Sequence, residues 1–155
     1  MVSLTKGEHM FTPEALISEK HENTNEQRKL VSGFPITAIV VEHETISRVI
    51  LAAVLSCDGY RVFQTDNPIT AISYFRTNDP AVLIVDLDMP EWTYIVQFAL
   101  DRRPNTFVIG MVENNPMPDV SDLNRCGIGV YWQKPVLYDN LRRALSDYVH
   151  GRRVA

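Results

Sequence analysis

Two carboxylates follow an apolar run in 81-AVLIVDLDMPEW-92, and their position is the first sign of chemistry in the chain. Ala81, Val82, Leu83, Ile84 and Val85 read as a central parallel strand covered on both faces. Asp86 then stands at the strand's carboxyl end, with Asp88 two residues on. In open α/β sheets, ligands bind in the crevice beyond the strand tips. A charge placed there needs a partner, a metal or exposure to water. The plainer reading is that Asp86 and Asp88 open a surface loop.

Two more stretches bear on the choice. A first strand ends in 42-EHE-44 and a last one runs into 133-QKP-135. If these strands lie parallel in one sheet, Glu42, His43 and Glu44 approach Asp86 on a common edge. Crowded carboxylates raise one another's pKa unless a cation neutralises them. Oxygen ligands of this kind suit a hard cation such as Mg2+. Lys134 offers positive charge to an anion on Asp86, and Pro135 restricts how the lysine is presented. A carboxylate can also be a nucleophile toward phosphorus, given a cation and positive charge on the phosphoryl oxygens. There is no Gly-rich phosphate loop and no GxxxxGK[ST] run, so the reading is a chain that receives a phosphoryl group rather than one that binds ATP as a kinase.

The elements that must position these residues alternate along the chain. The run 36-ITAIVV-41 is a buried-type strand. In 45-TISRVILAAVLS-56, Ile46, Val49, Ile50, Ala53 and Val54 share a helical face. Gly59 ends that helix before a short strand, 60-YRVF-63. In 68-PITAISYF-75, Ile69, Ile72 and Phe75 are in helical register, and Asn78-Asp79-Pro80 turns into the strand at 81–85. A helix at 91–102, a strand at 107–111, a short polar helix at 118–127 and a strand at 128–132 follow. In 137-LYDNLRRALSDYV-149, Leu137, Leu141, Ala144, Leu145 and Tyr148 form one stripe opposite Arg142, Arg143 and Asp147. Five strands alternating with five helices predict right-handed crossovers and a parallel sheet with helices on both faces, an α/β doubly wound architecture.

Bulk properties narrow the class. A chain of 155 residues holds one domain with a sizeable core. A net charge of −4 gives no general argument for nucleic acid. No apolar run approaches the roughly 18 residues of a membrane span, and 1-MVSLTKGEHM-10 is no secretory signal, so a cytoplasmic protein is expected. Cys57 and Cys126 define no disulfide scaffold and are expected as buried thiols. Residues 1–34 form a polar tail, with Thr12-Pro13-Glu14 as a helix start in competition with disorder. A domain over 35–150 and a short tail at 151–155 complete the division, with no effector domain expected after Val149.

At the residues just quoted, the chain resembles the receiver domain of bacterial two-component response regulators, the CheY-like, flavodoxin-like fold. The resemblance rests on 82-VLIVDLDMP-90, 131-YWQKP-135 and 38-AIVVEHE-44, and covers about residues 35–150. It implies strand order 2-1-3-4-5 and phosphotransfer to Asp86 from a histidine kinase or a histidine phosphotransfer protein. It implies Lys134 as the family's lysine, Tyr131 as its aromatic switch, and Mg2+ held by Glu42, Asp86 and the backbone carbonyl of Asp88. Output would pass through the fourth helix, fifth strand and fifth helix, and a homodimer through the last helix is compatible with the family.

Several positions depart from the pattern. His43 replaces a carboxylate of the usual acidic pair, and imidazole suits softer metals than Mg2+. Glu44 compensates only if its side chain points inward. Val112 stands where the family has a small hydroxyl residue and cannot donate to a phosphoryl oxygen. Glu113 stands where an alanine is usual; it either repels a phosphorylated Asp86 or turns outward. In 91-EWTYI-95, Trp92 and Tyr94 replace a glycine-rich turn, and one of them is expected to pack locally. With Val112 in place, Tyr131 is either a switch or a ring packed beneath the fourth helix. The sequence therefore carries two readings: a stand-alone phosphoacceptor receiver, and a degenerate receiver that binds partners without switching.

Overall fold

The computed structural model describes residues 35–151. The tails at 1–34 and 152–155, including the helix start at Thr12-Pro13, lie outside the described residues. Ten elements alternate: β1 (Thr37–Val41), α1 (Thr45–Cys57), β2 (Arg61–Thr65), α2 (Pro68–Thr77), β3 (Val82–Asp86), α3 (Trp92–Arg102), β4 (Phe107–Val112), α4 (Val120–Arg125), β5 (Val130–Gln133) and α5 (Tyr138–Val149). The strands form one parallel sheet in the order β2-β1-β3-β4-β5. This is the expected CheY-like architecture.

The period-2 geometry of strands sorts the apolar runs into two cores. Ala38, Val40, Val82, Ile84, Ile109 and Met111 face one side, where they meet Leu51 and Leu55 of α1 and Leu141, Ala144 and Leu145 of α5. Ile39, Val41, Leu83, Val85, Val108 and Val112 face the other, against Phe75 of α2, Ile95, Val96 and Ala99 of α3 and Leu123 of α4. Every residue of β3 and β4 is buried, because helices cover both faces.

Helix starts and stops follow local chemistry. The Asn67 side chain accepts from Ile69 and Thr70 amides at 2.8 and 3.2 Å, and Pro68 occupies the first turn of α2. Gly59 has φ 92° after the C-cap Asp58, a left-handed conformation that ends α1 cheaply only with glycine. Asp58 in turn accepts from Arg142 Nε of α5 at 2.8 Å, tying the two helices of that layer together.

Three readings of buried faces need correction. The stripe Ile46, Val49, Ile50 of α1 points to solvent (69%, 48% and 40% exposed), and Ala53 is exposed too; Leu51, Ala52 and Leu55 face the core instead. Apolar residues run nearly all round this helix, so its periodicity fits two overlapping stripes. Ile69 and Leu137 sit at the exposed starts of α2 and α5, one turn before their helices meet the sheet, while Ile72, Phe75, Leu141, Ala144 and Leu145 pack as expected. Cys57 is exposed and Cys126 half-buried, because both close helices at the surface rather than within the core; both are free thiols.

Candidate functional site

The parallel order places the carboxyl ends of β1, β3, β4 and β5 on one edge, and the charged residues converge there. Asp86 is the last residue of β3 and Glu42 follows β1; both are fully buried. Lys134 follows β5, and its amide donates to Val112 O at 2.8 Å, which seats it beside the end of β4. The Lys134 peptide to Pro135 is cis.

Charge binds these three side chains. Lys134 Nζ lies 2.6 Å from Glu42 Oε2 and 3.7 Å from Asp86 Oδ1. The lysine side chain is only 8% exposed, yet its ammonium has no partner at a hydrogen-bonding angle. The approach to Glu42 is thus an ionic contact that leaves donor directions open. Burial works against the Lys134 charge, but Glu42, Asp86 and Glu113 together outweigh it and raise its pKa. Burial also pushes Glu42 upward, and its contacts with Lys134 and the Glu44 amide only partly offset this.

His43 completes the cluster. Its Nδ1 bonds to Asp86 Oδ2 and stands 3.3 Å from Glu42 Oε1. The Asp86 bond is the main cause of a raised His43 pKa. One ligand atom from each of Glu42, His43 and Asp86 falls within 4.8 Å of the others, so the trio is a group able to coordinate a divalent metal. Tested for Mg2+, the donor set fits in part: two carboxylates suit it, and the imidazole does not. Glu44 is not in the trio. It caps α1, accepting from Ile46 and Ser47 amides at 3.0 and 2.5 Å, with its pKa lowered by those bonds.

The β4 side of the pocket is built differently. Val112 is buried against the apolar cluster that contains Leu123, and Tyr131 packs half-buried on the same cluster. Glu113 is exposed, yet it borders the cleft beside Lys134 and is near enough to favour the lysine's charge. The loop after β4 is held by Asp88, whose carboxylate accepts from the amides of Glu113, Asn114 and Asn115 at 2.8, 3.1 and 2.8 Å. Burial opposes the Asp88 charge, but these three bonds prevail and lower its pKa. The Asp88 amide donates to Asp86 Oδ1 at 2.9 Å, so the clamp is continuous with Asp86. Sequence reasoning assigned Asp88 a backbone role and missed this side-chain role; its partners are main-chain amides, which leave no side-chain signature. Trp92 packs partly on the core while Tyr94 is 59% exposed.

A cleft of about 300 Å³ opens beside Lys134, lined by Glu44, Ser47, Glu113, Pro135 and Tyr138 among others. A larger one, about 370 Å³, lies at the opposite end of the sheet near Pro35 and Tyr148, away from the ionisable cluster. Of the two, the cleft beside Lys134 is the one that borders the ionisable cluster.

A family profile described as "Response regulator receiver domain" matches residues 38–146. The chain belongs to this receiver family. No curated protein matches it in sequence. Among solved structures, a response regulator from Thermotoga maritima superposes with TM-score 0.65 at 20% identity, covering 74% of this chain and 98% of its own. A response regulator receiver domain from Clostridium thermocellum gives TM-score 0.67 at 20% identity, covering 75% and 95%. The receiver domain of a sensor histidine kinase from Pseudomonas aeruginosa, solved with a magnesium ion coordinated in its active-site cleft, gives TM-score 0.63 at 18% identity, covering 74% and 98%. At these identities the likeness is one of fold. Two-component, phosphorelay signalling is the functional setting of the receiver family. Among the described residues, no helix is long and apolar enough to cross a membrane.

Proposed function

We propose that this receiver accepts a phosphoryl group on Asp86 from a phosphohistidine of a histidine kinase or phosphotransfer protein, and signals through protein contacts. The observation that carries the reading is the buried Glu42–Lys134–Asp86 group with an ammonium that lacks a directed partner. In the transfer, an Asp86 oxygen forms the new O–P bond as the N–P bond to the donor imidazole breaks, and the imidazole leaves with the electron pair and takes up a proton. Lys134 faces the phosphoryl oxygens and supplies the missing positive charge. Glu42, Asp86 and the backbone carbonyl of Asp88 would hold a divalent cation, which would supply further positive charge there. Mg2+ is the cation of this reading, and His43 would weaken its hold.

The receiver domain spans residues 35–150 in this proposal, and α4, β5 and α5 form its output face toward a downstream partner or a second copy of the chain. A second reading, a degenerate receiver that binds partners without switching, is favoured by one specific observation. The loop after β4 is already tied by Asp88, and Val112 offers no hydroxyl to a phosphoryl oxygen.

The test is intact-protein mass after incubation with acetyl phosphate, with and without Mg2+ or Mn2+, beside Asp86→Asn. A gain of about 80 Da that needs Asp86 and a divalent cation is expected. No gain in a folded protein leaves the degenerate reading in its place.

A further inference from the structure

The chemistry of the donor set is unusual for a hard-cation pocket. Its three convergent ligand atoms are two carboxylate oxygens and one imidazole nitrogen. We infer that the Glu42–His43–Asp86 cluster selects a borderline first-row divalent cation, of the Zn2+ or Co2+ class, over Mg2+. This deepens the proposed reading by naming the cation class of the same site.

Three features of the geometry support it. First, bonds of about 2.0–2.2 Å to zinc place neighbouring ligand atoms roughly 3.3 Å apart. His43 Nδ1 and Glu42 Oε1 already stand at 3.3 Å. The closer His43–Asp86 contact has to open, and with 48% of its side chain exposed His43 is not walled in on its outer side. Second, the carboxylates are oriented by outer partners, as metal ligands commonly are. Glu42 Oε1 accepts from the Glu44 amide at 2.9 Å, Glu42 Oε2 faces Lys134, and Asp86 Oδ1 accepts from the Asp88 amide at 2.9 Å. Third, Glu42 and Asp86, both fully buried, are faced by Lys134 on one side and the His43 imidazole on the other, so the space between His43 and the two carboxylates is one where positive charge is stabilised. Lys134, nine-tenths buried, is ion-paired with Glu42 Oε2 at 2.6 Å and keeps donor directions open beside the cluster. Imidazole ligates the borderline metals well, whereas Mg2+ takes near-octahedral oxygen ligation and sheds water reluctantly.

The experiment is calorimetric titration of the full chain with ZnCl2 and with MgCl2, without any phosphoryl donor. It compares wild type, His43→Asp, His43→Gln and Asp86→Asn, each checked for folding by circular dichroism. Wild type is expected to bind Zn2+ far more tightly than Mg2+. His43→Gln is expected to weaken Zn2+ by about 10-fold or more, because it removes one of the three direct ligand atoms. His43→Asp alone should tighten Mg2+. Co2+ bound to wild type should show ligand-field absorption that changes in both His43 variants. Zn2+ affinity unchanged in His43→Gln overturns the inference. So does Zn2+ binding that persists in Asp86→Asn, since His9, His21, His150 or the thiols would then hold the ion. Phosphoryl uptake with Mg2+ alongside either of those results leaves the acceptor reading standing and removes only the cation assignment.

Discussion

The two halves of the pocket follow opposite rules. On the β1, β3 and β5 side, Glu42, Asp86 and Lys134 are buried together and held by charge. On the β4 side, Val112 has no polar group to offer, Glu113 faces solvent, and the loop is fastened by a carboxylate from a neighbouring loop. On the proposed reading, the first half is the one that would receive the phosphoryl group. The second is held by bonds that exist without it. Acceptance and the response to it would then rest on different residues.

The largest test of this contrast is Lys134→Met. It leaves Glu42 and Asp86 buried with one cation fewer, and loss of about 3–5 kcal/mol in urea denaturation is expected. Little change would mean that the carboxylates are already neutral and that charge does not hold this half. Next comes Asp88→Ala, which frees three loop amides. A cost of about 2 kcal/mol is expected, with faster hydrogen exchange at Glu113, Asn114 and Asn115. Unchanged exchange would show that the clamp does not fasten the loop. Val112→Thr restores a hydroxyl in an apolar site at a cost of about 1 kcal/mol. Faster uptake from acetyl phosphate, or a larger chemical-shift response to it, is expected in that variant. If neither moves, the missing hydroxyl is not what limits the β4 side.

The smallest effect concerns α4, the helix that follows the clamped loop. Asp119 caps it, accepting from the Ser121 amide at 2.7 Å, and its pKa is lowered chiefly by Ser121. A depressed folded pKa gives a contribution that is full above about pH 4 and is lost as the pH falls through the folded value. Fraying of α4, followed by amide shifts of Ser121 to Leu123, should therefore begin only below that range. Asp119→Ala should show the frayed shifts at neutral pH.

Legibility from sequence divides along physical lines. The sheet order needed the family resemblance, but the strands themselves were plain in the apolar runs at 36–41 and 81–85. α5 was plain as well, because Arg142, Arg143 and Asp147 mark its wet side. α1 was misread because Ile46, Val49, Ile50, Leu51, Ala52, Val54 and Leu55 leave no polar boundary between its two apolar stripes. Within the site, Glu42, Asp86 and Lys134 were visible because a charge at a buried strand end is conspicuous. Glu44 qualified as a ligand only if its side chain pointed inward; it caps α1, and its place just before the helix was the available cue. The Asp88 clamp was invisible because an acceptor of backbone amides selects no residue type in its partners.

Leu87, directly after Asp86, donates its amide to Met111 O at 2.6 Å and lays its side chain over Gly110. A Cβ at position 110 would meet Leu87 Cδ1 at 2.9 Å. The residue has no charge, no donor beyond its main chain and no place in the cluster. A methyl group at position 110 would oblige the end of the buried Leu87 side chain to shift, one residue from the carboxylate of the site.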